Sequence, residues 1–179
     1  MQYAIELYFD KDTERALFHL ARRVADAGLS TQFLDWKTRP HLTLACFNDV
    51  DEEKAAEQLR AFAQSQPVIL AYMGSLGMFP DTRTIFASPV MTRGMYQLQE
   101  KIHERFKEYD ATGWEWYCPD RWVPHCTLAM TRDEDEDVFY RASDLLLHEF
   151  RKIGGAFVAL GLVKITRPVE EICTAALRG

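Results

Sequence analysis

Two segments of the chain are almost identical: Pro40-His41-Leu42-Thr43-Leu44-Ala45 and Pro124-His125-Cys126-Thr127-Leu128-Ala129. Five of the six positions are the same, and the second segment lies 84 residues after the first. Weaker matches keep this offset without a gap, among them Leu76-Gly77 with Leu160-Gly161 and Thr82-Arg83 with Thr166-Arg167. Such a shared register predicts duplication of one unit, with repeats over about residues 1–83 and 84–179.

Hydrophobic periodicity and turn residues predict the same order of elements in each repeat: strand, helix, motif strand, helix, strand. In the first repeat we expect strands over residues 4–9, 41–47 and 68–73, a helix that ends at Gly28, a helix over 51–63 and a turn at 74–77. In the second repeat we expect strands over residues 84–90, 123–130, 156–165 and 169–175, and a helical stripe formed by Met95, Leu98, Ile102 and Phe106. The acidic run 133–137 then begins a helix, with a capping box over 131–134.

Each repeat ends in neighbouring strands joined by tight turns, which favours an α+β fold over a doubly wound parallel sheet. We expect one domain over residues 1–179 with two lobes about a pseudo-twofold axis. Each lobe should hold a mainly antiparallel sheet with helices on the outside, and the two motif strands should face a central cleft.

The composition limits the classes of partner. The chain has 179 residues, 47% of them hydrophobic, which is enough for a core without disulfides and predicts a monomer. Its net charge of −6 opposes a protein that holds long nucleic acid, including double-stranded DNA, by general counterion release. We therefore expect any phosphate to be bound at one local site.

The cysteines and the apolar stretches indicate a cytoplasmic protein. Four cysteines show no C-x-x-C spacing, and residues 1–10 lack the features of a secretory leader, so free thiols in a reducing compartment are expected. The longest uncharged stretch, residues 61–80, is interrupted by prolines and glycines and is not a membrane span.

Strand geometry predicts which motif side chains share a face, because residues i and i+2 of a strand point the same way. One face of the first motif strand should carry His41, Thr43 and Ala45, and the core face Leu42, Leu44 and Cys46. In the second motif strand the corresponding sets are His125, Thr127 and Ala129 against Cys126, Leu128 and Met130. Two imidazoles and two hydroxyls would then meet in the cleft.

This set of side chains suits a phosphodiester. One histidine can take a proton from the nucleophile while the other gives one to the leaving oxygen, and a pKa of ~6.5 permits either state near neutral pH. Threonine hydroxyls can donate to the non-bridging oxygens, and no metal or cofactor is needed. Either motif alone is more often structural, but the repetition of Pro, His and Thr favours function. His19, His103 and His148 fall on predicted helices and should face solvent.

The paired motifs resemble those of the two-histidine phosphoesterase superfamily, which contains the RNA 2′,3′-cyclic phosphodiesterases, also called 2′-5′ RNA ligases. Residues 76–80 are similar to the segment that the family has between its motifs, although Cys126 departs from its pattern. The resemblance implies metal-free action on a cyclic or 2′-5′ phosphodiester, with an RNA 3′ end or a cyclic nucleotide as substrate. It makes His125 the group that activates water, His41 the acid that protonates the leaving ribose oxygen, and Thr43 and Thr127 phosphate ligands.

Other candidate binding residues come from charge and aromatic character. Positive charge near the cleft could come from Arg83, which we favour, or from Arg39, Arg121 and Arg167, since arginine matches phosphate geometry. A base could stack on Tyr8, Phe47, Tyr117 or Trp122, although core packing is the commoner role for such residues.

Three further functions remain open beside a cyclic phosphodiesterase that also performs the reverse 2′-5′ ligation. The first is a phosphoesterase for a small cyclic metabolite such as an ADP-ribose cyclic phosphate, which the acidic charge mildly favours. The second is a non-catalytic RNA-end binding module, which would not need an acid and a base. The third is a metal site made by both histidines and a cysteine, disfavoured because Cys46 and Cys126 should point away from the histidines.

Overall fold

A computed structural model of the chain describes residues 1–179. It contains seven β-strands and five α-helices. The strands are Tyr3–Phe9 (β1), His41–Phe47 (β2), Ile69–Phe79 (β3), Thr84–Pro89 (β4), Cys126–Met130 (β5), Ile153–Lys164 (β6) and Glu170–Ala176 (β7). The α-helices are Lys11–Asp26 (α1), Gln32–Asp35 (α2), Glu52–Ala63 (α3), Arg93–Arg105 (α4) and Glu136–Glu149 (α5). Two short 3₁₀ helices, Lys107–Thr112 and Glu115–Tyr117, connect α4 to β5.

The strands form one sheet in the order β2-β1-β6-β3-β4-β5, and every neighbouring pair is antiparallel. β7 pairs with the second part of β6, whose first part pairs with β3. The predicted α+β class with an antiparallel sheet is therefore confirmed. Although β2 and β5 stand at opposite ends of the strand order, they contact each other, so the sheet curls until its two ends meet.

The two halves of the chain exchange strands. β1 pairs with β6 from the second half, and β4 pairs with β3 from the first half. Where β3 meets β6, Ala71 lies opposite Gly155, two residues that are 84 positions apart. On either side, Ile69 pairs with Phe157 and Met73 pairs with Ile153. The repeat offset of 84 relates Ile69 to Ile153 and Met73 to Phe157, so it exchanges these two pairs. A local twofold axis therefore passes through the pairing of β3 with β6. Duplication of the unit remains a prediction, but this pairing has the symmetry that it requires.

All seven predicted strands and the four longer helices are present, with two local errors. Residues 74–77 are not a turn but lie within β3, where the register shifts between Met73 and Ser75 as the strand leaves β6 and joins β4. The capping box at 131–134 is also wrong. α5 begins later, after Asp135, because the Thr131 hydroxyl donates to the Arg83 carbonyl and does not cap the helix.

Helix ends and helix packing follow ordinary rules. The carboxylate of Asp10 accepts the backbone N–H groups of Asp12 and Thr13 at the start of α1. Gly28, at φ +67°, follows its end in a conformation that favours glycine. α1 packs against β5 and β6, and α4 packs against β2, so helices as well as strands join the two halves. None of the helices has the length and apolar composition needed to cross a membrane.

Two glycines make room for aromatic rings beside the motif strands. A Cβ atom on Gly161 of β6 would lie 2.3 Å from the Tyr8 ring and hydroxyl, and one on Gly77 of β3 would lie 2.3 Å from the Phe86 ring. Gly77 and Gly161 are 84 positions apart, and each lies in one of the exchanged strands. The close approach of ring to backbone explains why glycine is needed at both positions.

We expect Gly161→Ala to destabilise the protein by about 1–3 kcal/mol, because the added methyl must displace the buried Tyr8 ring. Gly154→Ala is the matched control in the same strand, since its Cβ would make only an ordinary 3.8 Å contact with Tyr72. Urea unfolding of both variants and the wild type measures the difference. Equal free energies of unfolding for the two variants would contradict the role assigned to Gly161.

Candidate active site

Both motif strands carry the same β-bulge. In β2, Thr43 lies opposite Glu6 and Ala45 opposite Ile5, which leaves Leu44 without a partner residue on β1. In β5, Thr127 lies opposite Phe86 and Ala129 opposite Ile85, so Leu128 is the extra residue. A bulge inserts one residue into one strand and shifts the alternation of side chains beyond it.

Because of the bulges, the predicted faces of the motif strands are wrong for the residues beyond Leu44 and Leu128. Cys46 and Met130, expected in the core, line the same cavity as the motif histidines. Ala45 and Ala129, expected on the histidine face, pack in the main core. Strict alternation holds only up to the bulge, and it places Leu42, Leu44, Cys126 and Leu128 in the core as predicted.

Side chains of α4 satisfy the carbonyl that the first bulge leaves outside the sheet ladder. The Leu44 carbonyl accepts from Gln99 Nε2 at 3.3 Å and from His103 Nε2 at 3.2 Å. His103 is therefore half-buried and supports the motif strand, contrary to the prediction that it faces solvent. His19 and His148 are exposed, as predicted.

A cavity of about 230 Å³ receives both motifs. His41, Thr43, His125 and Thr127 all line it, together with Glu6. Its remaining wall is mostly aromatic and apolar, and includes Phe33, Trp36, Trp114, Tyr117, Ile165 and Val169. A second depression of about 480 Å³ over α1 and α5 is more open and is lined by no histidine or threonine. The smaller cavity is therefore the one that holds both motif histidines.

A backbone carbonyl orients each histidine in the same way. Nδ1 of His41 lies 2.7 Å from the Arg39 carbonyl oxygen, and Nδ1 of His125 lies 2.7 Å from that of Val123. A carbonyl can only accept, so each Nδ1 carries a proton and donates it. In both residues Nε2 is then the nitrogen available for proton exchange.

The surroundings of the two Nε2 atoms differ. Nε2 of His41 lies 3.3 Å from Oε1 of Glu6, a residue that is only 4% exposed and whose Oε2 has no hydrogen-bond partner. Burial raises the pKa of Glu6, and the charge of His41 opposes that shift. Glu6 was not among the predicted site residues. Its signal in the sequence is a charged residue at the centre of the otherwise apolar strand β1.

The neighbours of His125 are aromatic rings, whereas His41 has a carboxyl group beside it. The ring centroids of Phe79 and Phe86 are 4.9 Å and 5.2 Å from that of His125. Burial lowers the pKa of His125, and the charge of His41 lowers it further. Phe86 pairs with Thr127 across β4 and β5, just as Glu6 pairs with Thr43 across β1 and β2. The two equivalent positions therefore carry an apolar ring in one motif and a carboxyl group in the other.

Comparison with known proteins shows the family of the chain. The family model of the 2′-5′ RNA ligase superfamily matches residues 12–161. The chain belongs to this superfamily. The resemblance to two-histidine phosphoesterases is therefore confirmed, although no curated protein sequence shows significant similarity to the chain.

Solved structures share the fold of this superfamily member over nearly its whole length. TT0787 of Thermus thermophilus aligns with a TM-score of 0.66 and 19% identity, covering 100% of this chain and 99% of that one. E. coli LigT complexed with ATP aligns with a TM-score of 0.62 and 16% identity, and its complex with NADP+ with 0.60 and 17%. Both LigT alignments cover 99% of this chain and 98% of LigT. At these identities the likeness shows the fold alone.

The structure does not bring the predicted arginines into the cavity wall of this ligase-superfamily protein. Each guanidinium is held elsewhere by an acceptor: Arg39 pairs with Glu14 above the Tyr8 ring, Arg83 donates to the Glu134 carbonyl, Arg121 pairs with Glu115, and Arg167 lies 3.4 Å from Asp35. No lysine or arginine is among the lining residues. Phosphate binding by these arginines remains a prediction.

Of the four predicted stacking residues, only Tyr117 lines the cavity. Tyr8, Phe47 and Trp122 are buried, and the Trp122 indole donates to the Thr43 carbonyl at 2.9 Å, which supports the motif strand. Sequence reasoning missed Trp36 and Trp114. The cluster of aromatic residues between 114 and 122 is the signal that could have suggested Trp114.

We expect Phe79→Ala to raise the pKa of His125 toward its ordinary value, because loss of the half-buried ring admits water and relieves the burial that disfavours the imidazolium. Titration of the His125 Hε1 resonance by NMR measures the change. Tyr140→Ala, which removes an exposed ring on α5, is the control and should leave the midpoint unchanged. A midpoint that stays the same or falls in Phe79→Ala would refute burial as the cause.

Proposed function

We propose that this protein hydrolyses the 2′,3′-cyclic phosphate of an RNA or nucleotide end to a 2′-phosphate by two-histidine acid–base catalysis. The observation that carries the proposal is the single cavity lined by His41, Thr43, His125 and Thr127. A cyclic phosphodiester needs one group that removes a proton and one that supplies a proton, on opposite sides of phosphorus. The two motifs provide one imidazole each.

His125 is the general base in this proposal. Its Nδ1–H is held by the Val123 carbonyl and its pKa is lowered by burial, so its neutral form presents an unprotonated Nε2 to the cavity. This nitrogen accepts a proton from water as the water oxygen attacks phosphorus. His41 gives its Nε2 proton to the 3′ oxygen as the bond from that oxygen to phosphorus breaks. The products are a 2′-phosphate and a 3′ hydroxyl.

The threonines act on the phosphate itself. Thr43 and Thr127 each lie two residues after a motif histidine and before the bulge, on the histidine face of their strands. Their hydroxyls can donate to the non-bridging oxygens, where negative charge increases in the transition state. With a ribose 5′ hydroxyl in place of water, the same groups would catalyse the 2′-5′ ligation after which the superfamily is named.

The cavity favours a substrate with one phosphate beside a base. Its aromatic wall of Trp36, Trp114 and Tyr117 suits stacking on a nucleobase, as in single-strand recognition. An ADP-ribose cyclic phosphate would add a diphosphate, for which the wall offers no basic side chain. The complex of E. coli LigT with 3′-AMP, a nucleotide with one phosphate, supports such a ligand for this fold. A cytoplasmic location, supported by the four free cysteines, and a monomeric state remain predictions.

We expect the purified protein to hydrolyse a 2′,3′-cyclic nucleotide at an undiminished rate in excess EDTA. No group of three or more His, Cys, Asp and Glu side chains is arranged to hold a metal ion, and the two imidazoles supply both proton transfers. Product analysis should find the phosphate on the 2′ oxygen. Activity that disappears in EDTA and returns with a divalent ion would rule out this mechanism.

His41→Ala and His125→Ala should each lower kcat/KM by about 10²- to 10⁴-fold while the thermal unfolding midpoint changes little. Because both residues act in one step, the double variant should be little worse than the poorer single variant, and the wild-type pH profile should be bell-shaped. Thr43→Ala and Thr127→Ala should have milder effects. His148→Ala, on the exposed face of α5, is the control. A motif histidine whose removal leaves turnover intact would exclude the mechanism.

A further inference from the structure

We propose that Trp116 stacks on the base of the second nucleotide from the 3′ end of an RNA, so that the protein prefers an RNA chain to a mononucleotide. The inference rests on the proposed function and deepens it, because it adds a second subsite on the rim of the same cavity. It starts from the most exposed aromatic side chain of the protein. Trp116 is 70% exposed, although its neighbours Trp114 and Tyr117 line the cavity.

The short 3₁₀ helix Glu115–Tyr117 explains why these three rings separate. Side chains three residues apart eclipse each other in such a helix, so Trp114, at its N-terminal cap, and Tyr117 lie on one side. Both line the cavity, with ring centroids 6.3 Å apart. Trp116 is about one third of a turn from Tyr117 and therefore points away from the cavity wall, to solvent at the rim.

Hydrogen bonds hold this segment in place. The Trp114 backbone N–H donates to the Cys46 carbonyl at 2.9 Å, and its indole N–H donates to Oδ1 of Asn48 at 2.9 Å. The Tyr117 carbonyl accepts from Nε2 of Gln99 at 2.6 Å. Trp116 itself is not part of the core and does not pack against it. Its ring is therefore presented to a ligand on a backbone that is already ordered, which lowers the entropic cost of binding.

The size of the cavity directs a longer substrate over its rim. A volume of about 230 Å³ is below the range of about 300–1,000 Å³ that encloses a drug-sized ligand, so the cavity has room for the terminal nucleotide only. A chain attached at the 5′ oxygen of that nucleotide must continue outside. Exposed aromatic rings bind single-stranded bases by stacking, whatever the base. Trp116 is the only exposed tryptophan, and it lies in a segment that forms part of the cavity wall.

The charges beside the ring do not oppose a backbone phosphate. Glu115 pairs with Arg121, so the carboxylate next to Trp116 is neutralised on the surface. The chain has a net charge of −6 and offers no general electrostatic attraction for RNA. Stacking, and not charge, should therefore supply the affinity for the second nucleotide.

Two substrates test the inference, a dinucleotide and a mononucleotide that each carry a 2′,3′-cyclic phosphate. We expect a higher kcat/KM for the dinucleotide, and Trp116→Ala should lower the ratio of the two values by about 5- to 100-fold, the range for one stacked base. Trp116→Phe keeps a ring and should retain most of the ratio. Tyr140→Ala, which removes an exposed ring on α5, is the matched control and should leave the ratio unchanged.

The same ratio measured at several salt concentrations separates stacking from charge. A ratio produced by stacking should change little, whereas one produced by phosphate contacts falls as salt rises. A ratio that disappears at high salt would overturn the inference. So would a ratio that Trp116→Ala leaves unchanged, including the case in which both substrates lose activity equally.

Binding without turnover distinguishes this inference from the proposed function. In the full-length protein labelled with ¹⁵N-tryptophan, Trp116→Phe identifies the Trp116 indole resonance. A diadenosine RNA with a 2′-phosphate end should shift this resonance, and adenosine 2′-phosphate should shift it much less. If the wild type does not hydrolyse a cyclic phosphate, the proposed function fails, and this titration still decides whether Trp116 stacks on a second base. A Trp116 resonance that does not move with the dinucleotide, or moves equally with both ligands, would refute the second subsite.

Discussion

The antiparallel pairing of β3 with β6 is the interaction on which the rest of the structure depends. It is the place where the two halves of the chain hydrogen-bond to each other at a local twofold axis, with Ala71 opposite Gly155. From there each strand runs into the other half, β3 to β4 and β6 to β1. The exchange makes one curled sheet whose end strands, β2 and β5, contact each other. Each of these end strands carries one of the two histidine motifs.

The two motif strands also agree in the local details that position their side chains. Each motif strand has a bulge at the leucine after its threonine, and each histidine donates through Nδ1 to the carbonyl two residues before it. The bulge separates two tasks within one short strand. Before it, histidine and threonine face the cavity, and beyond it the alternation shifts so that Ala45 and Ala129 complete the core. A regular strand of the same composition would direct its sixth residue, Cys46, to the main core and not to the cavity side, where it is buried with Ala4 and Val163.

The proposed function gives the two histidines different roles, an acid and a base, and their surroundings differ. The difference lies at one pair of equivalent positions. Glu6 on β1 places a carboxyl group beside His41, whereas Phe86 on β4 places a ring beside His125. Burial acts on both sites with opposite results, because it raises the pKa of Glu6 and lowers that of His125. Burial thus disfavours the carboxylate form of Glu6 on one side of the cavity and the imidazolium form of His125 on the other.

The amino-acid sequence alone determined the repeat, the order and type of the main elements, the α+β class and the two His-x-Thr motifs. These follow from local periodicity and from identities that can be read along the chain. Only the tertiary structure decided which side chains line the cavity. The bulges at Leu44 and Leu128 have no turn residue to mark them, and Glu6, Trp36 and Trp114 reach the motifs through strand pairing and loop packing across long sequence separations. The arginines likewise remained outside the wall because their acceptors, such as Glu14 for Arg39, are neighbours only in the folded chain.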